Sequence, residues 1–244
     1  MNQFKPGRRT LVVVHGYDGD KDLIAGSLPQ FESHQCPILV LSPEDAPIKE
    51  MGQHICRWAG KKGQLGPATC ERQLLHYQIA LEYNVDFYLM YDADSLSLEP
   101  EIPEYLYEHY LEVFSNEVMD ARHNQPGADP NYHKPLPPIA MQPPYFMSKA
   151  SLAKMVAAAP SVEIDDITPF QDWYPVQLCW AAGLRMSALH NAHSSDSRNP
   201  EFYEKMKKAV ANDGVYFVHA VKSTDARDTL QRLYNKRKSS IPTL

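Results

Sequence analysis

The sequence predicts an α/β fold in which a mainly parallel central sheet carries helices on both faces. Three short apolar runs indicate the sheet, because residues 10–14, 38–41 and 85–91 do not alternate between polar and apolar side chains. Such strands are buried on both faces, as in parallel sheets covered by helices. Helical patterns lie between these runs, and that alternation favours parallel pairing of the strands.

Caps and apolar spacing predict the helices of the first half of the chain. A short helix is expected near residues 22–29. Thr69 has the character of an N-cap, and Leu74, Tyr77 and Leu81 follow it at helical spacing. The strand at 85–91 comes next, so this helix would lead into the sheet.

The second half contains a long segment without a regular pattern. Residues 99–122 are rich in Glu, Tyr and Leu and predict a helix, whereas residues 124–144 hold seven prolines. So many prolines exclude a regular helix or a central strand, and the segment is a functional loop or a disordered one. Further predictions are helices at 148–159 and 172–182, strands at 184–189 and 215–221, and a final helix capped by Ser223.

Composition limits the class of protein. The 244 residues suffice for one α/β domain or two small ones, and no apolar run approaches the roughly 20 residues that span a bilayer. The net charge of -6 does not indicate a general polyanion-binding surface. Four cysteines without a C-x-x-C pair favour reduced thiols in a cytoplasmic protein over disulfides or a zinc site.

Two carboxylates, Asp92 and Asp94, follow the apolar run at 85–91. Just past a strand end the chain turns, and both side chains can converge on one ion. Mg²⁺ and Mn²⁺ prefer hard oxygen ligands, commonly one or two carboxylates together with phosphate oxygens. A solvated turn is the alternative, and the buried run in front of the pair favours the ion site.

Two later positions, Asp172 and His219, also allow both a structural and a functional interpretation. Asp172 stands where a helix is predicted to begin, as a cap on free backbone N–H groups or as a general base for a hydroxyl. His219 ends a predicted strand, with Lys222 three residues on. A neutral imidazole can bind Mn²⁺ and an ammonium can bind phosphate, although a histidine at a sheet edge can also be purely structural.

Taken in chain order, these motifs resemble those of the GT-A glycosyltransferases, a Rossmann-like fold, and in particular its inverting, family-2-like branch. The resemblance implies that Tyr17, after the first strand, lies against a nucleobase. It also implies that Asp45, in preference to Glu44, contacts the base and that Arg72 approaches the nucleotide or its phosphates. Asp92 would then contact the ribose or the sugar.

The remaining roles follow from the same resemblance. Asp94 and His219 would be ligands of Mn²⁺ or Mg²⁺, and Lys222 would contact the diphosphate. Asp172 would be the base that deprotonates the acceptor hydroxyl. Gln171 stands where the family has Glu, so a supporting acidic residue is missing at that position.

The implied protein is a hexosyl- or pentosyltransferase that uses a nucleotide-diphosphate sugar, with a UDP-sugar favoured, and inverts the anomeric centre. We expect one domain over residues 1–244, with a nucleotide-sugar-binding half at 1–98 and an acceptor-binding, catalytic half at 99–244. The expected location is the cytoplasm of a bacterial or phage-infected cell. The acceptor is a glycan, a small molecule or a hydroxymethylated base of phage DNA, and the acidic net charge argues against DNA.

Two other classes remain open at the level of sequence. The segment Val14-His15-Gly16 resembles the oxyanion segment of α/β-hydrolases, which would make Ser95 a nucleophile. That nucleophile needs small neighbours on a strained turn, and Leu96 follows the serine directly. A non-catalytic module that binds nucleotide sugars is the other alternative.

Overall fold

The computed structural model describes residues 9–27, 37–62, 67–99, 117–120, 144–164, 173–188 and 192–240. The strands are β1 Thr10–His15, β2 Ile38–Ser42, β3 Ile55–Trp58, β4 Phe87–Asp92, β5 Leu96–Ser97, β6 Glu117–Asp120, β7 Tyr145–Ser148, β8 Arg185–Ala188, β9 Ala192–Ser194 and β10 Phe217–His219. The α-helices are α1 Lys21–Ser27, α2 Pro67–Leu81, α3 Lys149–Ala158, α4 Tyr174–Ala181, α5 Pro200–Asn212 and α6 Thr224–Ser240.

A central sheet carries seven of these strands in the order β3-β2-β1-β4-β7-β6-β8. Strands β1 to β4 run parallel to one another, β6 is parallel to β8, and β7 is antiparallel to both of its neighbours. The predicted fold class, α/β with a mainly parallel central sheet, is confirmed.

The middle of this sheet is buried because its strands are apolar on both faces. Every residue from Leu11 to Val14 and from Leu39 to Leu41 has 0% of its surface exposed. Burying one such aliphatic side chain contributes about 1.5–3 kcal/mol. The apolar residues that predicted these strands therefore also stabilise the core.

A second, three-stranded sheet has the order β5-β10-β9. Strand β5 begins two residues after Asp94, and β10 pairs antiparallel with it, placing Val218 opposite Leu96. His219 is the next residue of β10 and therefore comes back to the turn that follows β4. This short pairing joins the end of the chain to its first half.

Two helix predictions hold and one detail is wrong. A short helix does form near residues 22–29, as α1, and Ser148 caps α3 by accepting a hydrogen bond from the backbone N–H of Ser151. Helix α2, however, begins at Pro67, so Thr69 lies inside the first turn and is not the N-cap. Proline is favoured at the first helical position because its fixed φ suits the helix and it needs no N–H there.

The helix predicted for residues 99–122 is wrong at its C-terminal end. Residues 117–120 form β6, which pairs with β7 and β8. Residues 100–116 and the proline-rich stretch at 124–143 lie outside the described residues. Helix α5 had not been predicted, although Asn199 and Pro200 form an N-cap followed by a first-turn proline. Among the described residues, no helix is long and apolar enough to cross a membrane.

Candidate functional site

A pocket of about 460 Å³ lies at the C-terminal ends of the parallel strands β1 and β4. The register pairs His15 with Asp92, so the last residues of the two strands stand side by side at the pocket floor. Open α/β sheets bind their ligands at this edge. Its lining includes His15, Gly16, Tyr17, Asp20, Leu23, Lys62, Thr69, Arg72, Gln73, His76, Asp92, Asp94, Tyr145, Arg198 and Lys222.

Asp92, Asp94 and His219 form a cluster whose ligand atoms all lie within 4.8 Å of one another. His219 Nε2 is 3.1 Å from Asp94 Oδ1 and 3.9 Å from Asp92 Oδ2. Two carboxylates and one imidazole suit Mn²⁺ well, and Mg²⁺ through the carboxylates. The donor set present in this chain therefore fits the divalent ion that the sequence motifs imply.

The charge of Asp94 is compensated by two partners. Lys222 Nζ donates to Asp94 Oδ2, while His219 lies against Oδ1. Burial acts to raise the pKa of Asp94, but the hydrogen bonds and charges of His219 and Lys222 outweigh it and hold that pKa well below its usual range. The carboxylate is therefore ionised and ready to accept a cation at neutral pH.

One stretch, residues 219–227, encloses the turn that carries Asp94. Besides the side chains of His219 and Lys222, the backbone N–H of Val221 donates to the carbonyl of Asp94 at 2.7 Å. Lys222 is held in turn by a hydrogen bond from its backbone N–H to Ser197 Oγ at 2.9 Å.

Tyr17 and Lys62 form the outer wall of the pocket. Tyr17 is 37% exposed, and Lys62 Nζ lies 3.9 Å from the centre of its ring. Asp45, which the sequence motifs placed at the base, accepts a hydrogen bond at 2.5 Å from the backbone N–H of Lys62. Its carboxylate therefore stabilises the loop that carries Lys62, and Asp45 itself does not line the pocket.

Arg72 extends from α2 towards the strand ends. Its Nη1 donates to the carbonyl of Lys61 at 3.1 Å, which ties α2 to the loop after β3. Burial lowers the pKa of Arg72, while Asp92 and Asp45 act in the opposite direction. Its positive charge thus faces the carboxylate side of the pocket.

The inner wall is polar but uncharged. The rings of His15 and His76 lie 4.9 Å apart, and burial lowers the pKa of both, to about 4 for His76. His15 Nδ1 is 3.7 Å from Asp92 Oδ1, which is too long for a hydrogen bond, and a neutral imidazole makes no ion pair. Gln73 donates to the hydroxyl of Tyr145 at 3.2 Å beside them.

The structure brings most of the predicted site residues together. Tyr17, Arg72, Asp92, Asp94 and Lys222 line the pocket, with His219 against the two aspartates. Asp172 and Gln171 belong to residues 165–172, which lie outside the described residues. The helix α4 begins at Tyr174 with Trp173 as its N-cap, so the prediction that Asp172 stands at the start of this helix is wrong by two residues.

Several pocket residues were missed by reasoning from the sequence. Thr69, Gln73 and His76 are buried polar residues at helical spacing i, i+4 and i+7 on α2, and such a stripe on a buried face is a signal that was available. Asp20 also lines the pocket, where its carboxylate accepts from the N–H of Tyr17 at 3.1 Å. Arg198 lines the pocket as well, and no pattern in the sequence indicated this position.

No protein-family model and no curated protein matches this chain. Among solved structures, the WbbM bifunctional glycosyltransferase has a TM-score of 0.49 at 11% identity, covering 98% of this chain and 53% of WbbM. This chain thus spans about half of WbbM. The galactosyltransferase LgtC, in complex with donor and acceptor sugar analogs, has a TM-score of 0.49 at 12% identity, covering 96% of this chain and 97% of LgtC.

A 4-diphosphocytidyl-2C-methyl-D-erythritol synthase has the same TM-score of 0.49 at 12% identity, covering 93% of this chain and 99% of the synthase. Proteins that share a fold need not share a reaction, because function depends on the residues of the site.

Proposed function

We propose that this chain is a metal-dependent glycosyltransferase that moves a sugar from a nucleotide-diphosphate sugar, with a UDP-sugar favoured, to an acceptor hydroxyl. The observation that carries the proposal is the cluster of Asp92, Asp94 and His219 beside a pocket that also presents Arg72 and Lys222. Carboxylates alone would repel a diphosphate. Carboxylates with a divalent ion and two cationic side chains attract one.

The cation has a specific use in such a reaction. A divalent ion held by Asp92, Asp94 and His219 would supply positive charge against the departing diphosphate. The Lys222 ammonium, already at this position, adds a hydrogen-bond donor to a phosphate oxygen. Leaving-group stabilisation is thus shared between the ion and Lys222.

The nucleotide half of the donor fits the outer wall. The exposed ring of Tyr17 offers a face for a nucleobase once the Lys62 ammonium moves aside, and an ammonium so displaced can contact phosphate. Asp92 accepts a hydrogen bond from a ribose or sugar hydroxyl in this arrangement. Arg72 provides positive charge on the same side of the pocket.

Asp172 is assigned as the general base. It would take the proton of the acceptor hydroxyl as that hydroxyl attacks the anomeric carbon from the face opposite the diphosphate. A single displacement of this kind inverts the anomeric centre. The assignment rests on sequence resemblance alone, and the acceptor is a glycan, a small molecule or a hydroxymethylated DNA base.

The hydrolase alternative does not fit the site. Ser95 has 0% of its surface exposed, so its hydroxyl is not accessible to a substrate. A nucleophile of that class is presented at the top of the sheet. The pocket opens instead on the two aspartates.

Calorimetry with UDP, GDP, CDP and their sugars, each with and without Mn²⁺, tests the proposal. We expect one nucleotide to bind in a Mn²⁺-dependent manner, and Asp94→Asn to weaken this binding at least about tenfold through loss of a charged ligand. Asp228→Asn is the control, because Asp228 is exposed on α6 away from the pocket. Absence of metal-dependent binding for all of these nucleotides would refute the proposal.

A second variant separates the enzyme from a binding module. Asp172→Asn should leave donor and Mn²⁺ binding intact and reduce transfer by about 10²–10⁴-fold, the usual contribution of a general base. Transfer can be followed as release of nucleoside diphosphate in the presence of candidate acceptors. If turnover survives the change, the general base is a different residue.

A further inference from the structure

Arg227, in the first turns of α6, is a buried cation that the proposed chemistry does not use. It is only 5% exposed, and its guanidinium donates hydrogen bonds to three backbone carbonyls. Nη2 donates to Ala93 at 2.6 Å and to Ser95 at 3.2 Å, and Nη1 donates to Leu23 at 2.9 Å. The two carbonyls at 93 and 95 belong to the residues on either side of Asp94.

The position of Arg227 is fixed by the start of its own helix. Ser223 Oγ accepts from the N–H of Ala226 at 3.2 Å, and the Ser223 carbonyl accepts from the N–H of Arg227 at 3.2 Å. Leu230 and Tyr234 lie on the same face of α6 at i+3 and i+7 and are also buried. The guanidinium is therefore delivered to the turn by a capped helix packed into the core.

The contacts of Arg227 restrain the backbone of the turn from which the Asp94 carboxylate extends. A residue whose two neighbours are both held by their carbonyls has little freedom to rotate its backbone. A fork of N–H donors can hold several carbonyls at once, and a lysine ammonium at the end of a flexible stem cannot match that geometry. Leu23 lines the pocket, so the same fork also ties α1 to the site.

We propose that Arg227 is a positioning residue of the cation site, holding the turn 93–95 so that Asp94 is directed at the ion. This inference rests on the proposed function in so far as Asp94 is a metal ligand. Arg227 is not among the residues that line the pocket. It acts through the backbone of the residues that flank Asp94.

Arg227→Lys is the informative change because it keeps the positive charge and removes the fork. Mn²⁺ binding, measured by calorimetry on the full chain without nucleotide, should weaken by about tenfold. Hydrogen exchange of the metal-free protein should be faster in residues 93–98 than in the wild type. Adding guanidinium chloride to Arg227→Ala should restore part of the Mn²⁺ affinity, whereas sodium chloride at the same concentration should not.

Leu230→Ala is the matched control, because Leu230 is fully buried on the same helix and its aliphatic side chain forms no hydrogen bonds. It should lower the melting temperature and leave the Mn²⁺ affinity unchanged. Normal Mn²⁺ binding by Arg227→Lys, or an equal loss in Leu230→Ala, would overturn the inference while the proposed function stands. A wild type that binds Mn²⁺ neither alone nor together with a nucleotide would overturn both.

Discussion

Asp94 has both of its carboxylate oxygens engaged before any ion is bound. His219 Nε2 lies 3.1 Å from Oδ1, and Lys222 Nζ contacts Oδ2. A divalent ion at this carboxylate would share its oxygens with these partners or displace one of them, because each oxygen has two lone pairs. The ammonium is the partner that competes by charge, whereas the imidazole can serve as a ligand to the same ion.

Replacing Lys222 by methionine should therefore shift two affinities in opposite directions. Mn²⁺ alone should bind more tightly, because the competing ammonium is gone. The nucleoside diphosphate with Mn²⁺ should bind about tenfold more weakly, because a charged donor to phosphate is lost. Calorimetry on the two ligands measures both.

Lys205→Met is the control for that experiment. Lys205 is an exposed lysine on α5 paired with Glu201 at 2.8 Å, and it lies outside the pocket lining. Its replacement should leave both affinities unchanged. If Lys222→Met weakens Mn²⁺ binding in the absence of nucleotide, the ammonium does not compete for Asp94.

At the scale of elements, the loop between β3 and α2 decides how Arg72 is presented. Gly60 has a φ of +69°, and a Cβ there would lie 2.9 Å from Arg72 Cγ. The carbonyl of Gly60 accepts from the N–H of Glu44 at 2.8 Å, which joins this loop to the one after β2. A glycine is required here both by the backbone conformation and by the close approach of Arg72.

Gly60→Ala should consequently weaken donor binding as well as stability. The left-handed backbone costs an alanine about 1–2 kcal/mol, and the added methyl displaces Arg72 from the pocket. Gly52→Ala is a matched control, because Gly52 has a φ of +58° with nothing within 4 Å of its Cβ position. It should show the loss of stability without the loss of nucleotide affinity, and equal nucleotide affinities in the two variants would contradict a role for Arg72.

The elements also differ in how far they could be predicted. Strands β1, β2 and β4 were recognisable because each contains an uninterrupted apolar run of at least four residues. Strand β5 has only two residues, too few for any periodicity, whereas β10 lies within the strand predicted at 215–221. The pairing of β5 with β10 depends on how the rest of the chain folds. Residues 117–120 likewise form a strand instead of the predicted helix because β7 and β8 pair with them.

At the scale of the whole molecule, the buried pair of His15 and His76 makes stability depend on pH. Burial lowers the pKa of His76 from 6.5 to about 4. Between these values the unfolded chain binds a proton that the folded chain does not, so stability falls as the pH is lowered. The full contribution of His76 is present above pH 6.5.

Urea unfolding at pH 7.5 and pH 5 measures this contribution. The wild type should lose about 2 kcal/mol through His76 over that interval, and His76→Gln should be less sensitive to pH by about this amount. His15 contributes in the same direction, so some dependence remains. His54→Gln, a change at a half-buried position before β3, is the control, and equal pH sensitivity in all three proteins would refute the expectation.

The sequence by itself determined the fold class, the central strands and the Asp92–Asp94 pair, because these depend on local runs of residues that a strand or turn needs. The resemblance to the GT-A glycosyltransferases extended the predicted site to His219 and Lys222. Only the tertiary structure decided that Lys222 meets Asp94 across 128 positions and that Arg227 meets Ala93 across 134. The physical reason is that such contacts depend on short strand pairings and a capped helix that leave no local pattern. Arg227, on the buried face of α6 with Leu230, was a charged residue in an apolar stripe, and only its three carbonyl partners explain why it is there.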